Sequence, residues 1–222
     1  DVEGSEFTFD QVQKRCERVR FGDVESGDDN VTLTGELVDT DETEADEVDD
    51  SADASDVVDA VSVLTQEKGV AVDLDRGEAR ASISGDRDEI MQVVQNLLDN
   101  AVKYSSRNGT VEISVRSDLS FDEAWASRMP GATRLPLVTP DRTAGVSYAA
   151  VTVRDHGPGM AREHLPRLTE RFYRVDPARS RALGGTGLGL SIVSAVAGAH
   201  GGEVHVRSQP GHTVFTVTLP VS

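Results

Sequence analysis

The chain is 222 residues long, 37% hydrophobic and strongly acidic, with a formal net charge of −17 and a single cysteine, Cys16. That length supports one substantial domain, or one domain plus an appendage; the lone cysteine excludes an internal disulfide and favours a reducing compartment; and the negative charge argues against nonspecific binding to nucleic-acid phosphates. No stretch approaches the roughly 18 apolar residues that a membrane helix requires, and no secretory leader is present.

The acidity is concentrated. Residues 21–67 carry 17 Asp and Glu and no Lys or Arg, which leaves 22 acidic against 22 basic residues elsewhere. A solvated linker is the plain reading of this run, and a docking surface for a basic partner is the sharper one. The chain opens on Asp1 without a methionine, so it reads as a piece of a longer protein, with any membrane anchor outside it.

Residues 1–20 are polar, and Phe7, Phe9, Val12 and Val19 form no persuasive helix stripe. The segment from Glu36 to Asp59 is acidic and poor in aromatics, so much of it is expected to be flexible. At its end Val57, Val58, Ala60, Val61, Val63 and Leu64 are spaced for a short buried helix, which Gly69 would end. Val70, Val72 and Leu74 then alternate with Ala71, Asp73 and Asp75, as a half-buried strand does. Ala81 and Ile83, ahead of the turn at Gly85-Asp86, supply another short strand.

Between Asp88 and Tyr104 the apolar set Ile90, Val93, Val94, Leu97, Leu98, Ala101 and Val102 recurs at three- and four-residue steps, which predicts an amphipathic helix. Thr110 to Arg116 alternates, with Val111, Ile113 and Val115 on one face. The polar stretch from Ser117 to Gly145 reads as a long loop, folded onto the surface by Trp125, Leu135 and Leu137. Val151 and Val153 lie in the next strand. A second helix runs from Leu188 to Ala199 and ends at Gly201-Gly202. Val204 and Val206, then Phe215, Val217 and Leu219, form a closing hairpin across Gln209-Pro210-Gly211-His212.

Four short blocks stand out along this frame. In Asn96-Leu97-Leu98-Asp99-Asn100-Ala101-Val102-Lys103-Tyr104, Asn96 and Asn100 project from one helix face. Their carboxamide oxygens are hard ligands suited to magnesium, and Lys103 and Tyr104 follow where they could touch phosphates. An ordinary exposed polar face is the plainer reading. In Asp155-His156-Gly157-Pro158-Gly159, a carboxylate at a strand end can accept from an exocyclic amine, while Gly157 and Gly159 let a flat base approach the backbone. A simple turn has the same composition.

In Gly184-Gly185-Thr186-Gly187-Leu188-Gly189-Leu190, a glycine loop runs into a helix N-terminus, an arrangement suited to polyphosphate; a flexible hinge is the alternative. No Gly-Lys-Ser/Thr follows, so it is not a P-loop, and a charged loop rather than a strand precedes it, unlike a dinucleotide fingerprint. Between these blocks, Met160 to Leu183 holds Arg162, Arg167, Arg171, Arg174, Arg179 and Arg181, with Arg171-Phe172-Tyr173-Arg174 as the remaining block. Arginines suit phosphate recognition, with a solvated surface role the plainer reading for most of them, and we read the segment as a lid that orders around nucleotide, anchored by Phe172 and Tyr173.

The four blocks, in this order, resemble the catalytic ATP-binding domain of bacterial sensor histidine kinases. That domain is a branch of the superfamily with type II topoisomerases, Hsp90-type chaperones and mismatch-repair ATPases. The similarity covers Val57 to Pro220, and the run from Arg162 to Asp176 with Gly184 to Leu190 is similar to phosphate-regulon sensor kinases. The resemblance implies an α/β sandwich, a mixed sheet with helices on one face, for residues 57–222, preceded by a poorly matched acidic segment, residues 1–56. It implies ATP and Mg²⁺ as ligands. Asp155 would read adenine, Asn96 and Asn100 would serve Mg²⁺, and Lys103 and Tyr104 would approach the phosphates. Arg174 and Arg179 would be lid contacts; Gly185, Thr186, Gly187, Leu188 and Gly189 would form the phosphate cradle; Gly211 and Thr213 would help shape the base pocket. Asn96, Lys103 and Arg174 are the residues expected to serve catalysis.

The implied partners are a histidine-bearing dimerisation domain of the same protein and a response regulator, in a membrane-anchored homodimer of which this is a cytoplasmic part. The acceptor motif, His followed by an acidic residue and a downstream Pro, is absent, and Asp23-Val24-Glu25-Ser26-Gly27 resembles only the end of a dimerisation helix. Phosphoryl transfer needs its nucleophile in line with the γ-phosphate, so the chain is expected to bind ATP without phosphorylating itself efficiently. A hydrolytic ATPase of the superfamily and a non-catalytic nucleotide-binding module are the alternatives. The hydrolases resemble one another in a glutamate four residues before the key asparagine; that place is Asn96 here.

Overall fold

The computed structural model describes residues 19–20, 30–34, 36–37, 65–75, 80–120, 123, 133–136, 146–178 and 183–221. Three strands come first: β1 (Val19–Arg20), β2 (Asn30–Thr34) and β3 (Glu36–Leu37). β4 (Ala71–Asp75) and β5 (Arg80–Ser84) lead to helix α1 (Arg87–Tyr104), followed by β6 (Thr110–Leu119), β7 (Thr133–Pro136) and β8 (Tyr148–Asp155). A 3-10 turn (Arg162–Arg167), helix α2 (Gly189–Ala199), β9 (Glu203–Gln209) and β10 (His212–Pro220) complete the order.

Alternation along the strands builds a six-stranded sheet in the order β4-β6-β8-β10-β9-β7. β4 runs parallel to β6, and every other neighbouring pair is antiparallel. One face is apolar. Val111, Ile113 and Val115 of β6, Val151 and Val153 of β8 and Phe215 and Val217 of β10 share one buried cluster with the α1 stripe Ile90, Val93, Val94, Leu97, Leu98, Ala101 and Val102. Val193 and Ala197 of α2 join it, so both helices cover the same face. Burying these side chains supplies the main drive to fold, since each removes apolar surface from water. The opposite face carries polar cross-strand pairs: Arg154 to Glu112 at 3.0 Å and Thr152 to Thr216 at 3.2 Å. The architecture is the expected α/β sandwich with a mixed sheet.

Three features differ from the sequence reading or extend it. The stretch after β6 is not a loop throughout: β6 continues to Leu119, and residues 133–136 pair with β9 as the sheet's edge strand. β2, inside the acidic run, pairs antiparallel with β5, so Asn30 lies opposite Ser84 across the 56/57 division. The expected helix over residues 57–64, Trp125 and Leu137 lie outside the described residues; helix is present at 65–68 and ends at Gly69, with φ +65°.

Helix α1 is well delimited. Asp86 caps it, its carboxylate accepting from Asp88 N at 2.9 Å and Glu89 N at 3.1 Å, which satisfies two of the free first-turn amides. At the other end, the Lys68 ammonium donates to the carbonyls of Val102, Lys103 and Ser105 at 2.9, 2.6 and 3.1 Å. A cation there also complements the negative end of the helix dipole.

Candidate nucleotide site

The site gathers at one end of the sheet, where β8 stops and α1 and the loop into α2 meet it. Asp155 is the last residue of β8 and only 5% exposed. Its Oδ1 accepts from Gly157 N at 2.8 Å, which leaves Oδ2 for another donor. Burial pushes its carboxyl up to about 6, with the Gly157 amide, His156 and Lys68 pulling the other way. A desolvated carboxylate with one open oxygen suits a neutral amine donor.

Thr213 stands directly opposite Asp155 in the β8–β10 register and is buried. Its hydroxyl lies 3.1 Å from that of Ser208, which accepts from Met160 N at 2.8 Å. Ser208 therefore ties the start of the lid segment to the hairpin, a role the sequence reading missed. Gly157 is pressed against the Tyr104 carbonyl, where a Cβ would collide, and a Cβ at Gly159 would run into the Gln209 carbonyl. The two glycines thus let the turn after β8 lie between the end of α1 and the hairpin.

The metal candidates sit on the inner side of α1. A Cβ on Gly189 would lie 3.0 Å from Asn96 Oδ1 and 3.7 Å from Asn100 Nδ2, so the first residue of α2 abuts both amides. Asn96 Nδ2 is buried without a hydrogen-bond partner. Helix α2 has no side-chain cap, and its first-turn amides carry the positive end of the dipole. The carboxamide oxygens of Asn96 and Asn100 are the hard donors that would suit a cation held jointly with phosphate oxygens at this helix start, while the unpartnered Asn96 Nδ2 is a donor left for a phosphate oxygen rather than a metal ligand. Lys103, one turn on, currently pairs with Asp99 at 3.4 Å and is partly buried.

Part of the lid segment is packed on the core, which corrects the reading of Met160 to Leu183 as a segment that orders only around nucleotide. Its first half is packed: Leu165 is fully buried, Leu168 nearly so, and Met160 and Tyr173 rest on the main core. The Tyr173 hydroxyl meets His164 Nδ1 at 2.7 Å. Arg167 is committed to Glu170 through both its Nε and a terminal nitrogen, 3.0 to 3.2 Å away, and lies 4.2 Å over the Tyr173 ring. These partners account for its charge within the segment. Phe172 is 69% exposed and so does not anchor the segment, a task left to Tyr173. Arg174 is half-buried, and its Nε has no partner, so it retains a donor for a ligand. Arg179 and Arg181 lie outside the described residues.

In the glycine loop, Gly187 has φ +75°, and its carbonyl accepts from Phe172 N at 2.8 Å. Thr186 Oγ1 accepts weakly from Leu188 N at 3.4 Å, and Leu188 is the N-cap residue of α2. Gly185 is half-buried, and nothing lies within 4 Å of the position a Cβ would take on neighbouring Gly184. This stretch of the loop is open.

Residues 85–222 match the family described as histidine kinase-, DNA gyrase B-, and HSP90-like ATPase. The sensor histidine kinase WalK of Bacillus subtilis is 33% identical over 158 residues, 71% of this chain and 22% of that protein. The sensor-like histidine kinase SenX3 of Mycobacterium tuberculosis is 38% identical over 139 residues, 62% of this chain and 27% of its own length. The chain thus spans about a quarter of the length of these curated relatives. Among solved structures, full-length ShkA in complex with AMPPNP aligns with a TM-score of 0.53 and 25% identity, over 76% of this chain and 29% of that one.

Proposed function

Because this chain belongs to the family of histidine kinase-, DNA gyrase B- and HSP90-like ATPases, we propose that residues 57–222 are the ATP-binding catalytic unit of a two-component sensor histidine kinase. It supplies the γ-phosphoryl group to a histidine in a separate dimerisation domain of the same protein, from which a response regulator is charged. The parent is a membrane-anchored homodimer with this unit on the cytoplasmic side. Among the described residues, no helix is long and apolar enough to cross a membrane.

The observation that carries this reading is the meeting of Gly189 with Asn96 and Asn100, at the same end of the sheet as the buried Asp155. Asp155 accepts from the adenine amine, with Gly157 and Thr213 beside it. The uncapped start of α2, with Gly185 to Gly189, would face the phosphates, and Arg174 and, by the family resemblance alone, Arg179 would be the lid contacts. Asn96 and Asn100 would hold Mg²⁺, which neutralises phosphate charge during transfer. Lys103 and Tyr104 flank the same end of α1. Asn96 stands where hydrolytic relatives carry a glutamate, so water activation is not the chemistry favoured here.

The test is a calorimetric titration of ATP with and without Mg²⁺, on the wild-type chain and on Asn100→Ala. Saturable binding that needs Mg²⁺ and is lost in the variant is expected. A chain that ignores adenosine nucleotides in the presence of Mg²⁺ overturns the reading.

A further inference from the structure

The geometry points to Lys68 as a positioning residue that sets nucleotide preference by holding the last turn of α1 against the turn after Asp155. This rests on the nucleotide reading above. Lys68 lies upstream of residues 85–222, the segment that matches the family, and 34 to 37 positions away in sequence from the carbonyls it holds.

The argument follows the contacts outward. Three carbonyls at the end of α1, those of Val102, Lys103 and Ser105, converge on one ammonium. These are groups a helix end leaves without intrahelical donors. The residue enclosed by them, Tyr104, turns its own carbonyl onto Gly157, so closely that no Cβ fits between. Two residues on, Ser106 Oγ donates to the His156 carbonyl at 3.3 Å. Gly157 N in turn fixes Asp155 Oδ1 at 2.8 Å. The chain of contacts runs Lys68, last turn of α1, residues 156–157, Asp155 carboxylate. Lys68 is also held from behind, because its carbonyl accepts from Asn108 N at 3.1 Å and Val70 N bonds to Thr65 O at 3.0 Å. It is thus a fixed strut rather than a loose surface charge.

A carboxylate distinguishes adenine from guanine only if its free oxygen points at the amine of the first and the carbonyl of the second. Loosening the strut blurs that direction. It weakens adenine binding while leaving most of the phosphate end, the glycine loop, the start of α2, Asn96 and Asn100, in place; of that end only Lys103 and Tyr104 lie in the turn the strut holds.

Calorimetric titration with Mg-ATP and Mg-GTP tests this on wild type, Lys68→Met, Lys68→Gln and Lys68→Arg. Replacing the strut by Met or Gln should lower ATP affinity about tenfold, as for loss of hydrogen bonds to a charged group, with GTP affinity changed little. The ATP-to-GTP preference therefore falls by about the same factor, and Lys68→Arg restores most of it. A purely structural role would weaken both nucleotides in parallel, and that result overturns the inference, as does a folded Met or Gln variant with wild-type preference. If Lys68→Met does not fold, Lys68→Gln against Lys68→Arg carries the same comparison. Wild type without any preference for ATP sinks the reading of Asp155 instead, so the two failures are distinguishable.

Discussion

The backbone amide of Phe172 donates to the carbonyl of Gly187 at 2.8 Å, and this bond joins the packed half of the lid to the glycine loop. It forms because Gly187 has no side chain: a Cβ there would lie 2.9 Å from the Phe172 backbone, at a φ of +75°. Gly187→Ala should therefore lose the bond and bear left-handed strain of about 1–3 kcal/mol. We expect about tenfold weaker Mg-ATP binding, with the main core, remote from the loop, keeping its amide protection. Titration and hydrogen exchange on the same variant check both halves of this expectation.

Phe172 itself sits at φ +65° with 69% of its surface exposed, a strained backbone for a bulky side chain that buries little. Replacing it with glycine removes the strain at small hydrophobic cost. Phe172→Gly should be neutral to about 1 kcal/mol more stable, whereas Tyr173→Gly, which strips a ring packed on the core and bonded to His164, should cost about 3–5 kcal/mol. Urea denaturation of the two variants gives the comparison. A large destabilisation by Phe172→Gly would show that the exposed ring has a partner.

Asp155 gives the pH dependence. Its carboxyl is raised from 3.8 to about 6, mainly by burial, so between those values the folded protein keeps a proton that the unfolded chain releases. The stability contribution of this group is present at low pH and is lost as pH rises through about 6. That displacement of the carboxyl corresponds to about 3 kcal/mol. Nucleotide works in the opposite sense, because the adenine amine is best accepted by the ionised form. ATP affinity should fall as pH drops below about 6. Asp155→Asn should make the free protein more stable at pH 8, by about 1–3 kcal/mol. It should also bind ATP about tenfold to a hundredfold more weakly, since Gly157 N keeps the amide oxygen and turns a donor toward adenine. Thermal melts and titrations across pH 5–8 decide this; an ATP affinity flat in pH would refute it.

The parts of the molecule written in short-range pattern were legible in the sequence. The α1 stripe from Ile90 to Val102, the strand through Val151 and Val153 and the hairpin over Pro210-Gly211 each announce themselves within a few residues. So did the site blocks, because glycines, carboxamides and one carboxylate are the residues that close backbone approach and ion binding demand. What stayed hidden depends on distant partners. β2 pairs with a strand some fifty residues later, and β7 is a four-residue edge strand ending in proline, with too little length to show a period. Ser208 reads as one more alternating strand position, and Lys68 as a surface charge before a glycine. Only the fold brings Ser208 to Met160 and Lys68 to the end of α1. The arginine strip was only partly legible. Six like charges do not say which of them face solvent and which a ligand, and only the fold pairs Arg167 with Glu170 and Tyr173.

The far end of α1 supplies a control. His200, at the end of α2, accepts from Asp86 N through Nε2 at 3.3 Å, so its Nδ1 carries the proton that meets Val196 O at 2.9 Å. Its ring fills the space where a Cβ on Gly85 would sit. The start of α1 and the end of α2 are thus clasped far from Asp155 and the glycine loop. Asp86→Ala removes the cap and should cost about 1 kcal/mol. His200→Ala leaves the Asp86 amide and the ring's space unfilled and should cost about 2 kcal/mol. Neither touches the candidate nucleotide residues, so ATP affinity should stay within about twofold of wild type once the fraction folded is allowed for. Denaturation and titration of both variants check this. A loss of affinity as large as that expected for Gly187→Ala would mean that the two helices move as one body when nucleotide binds, and that the clasp belongs to the site.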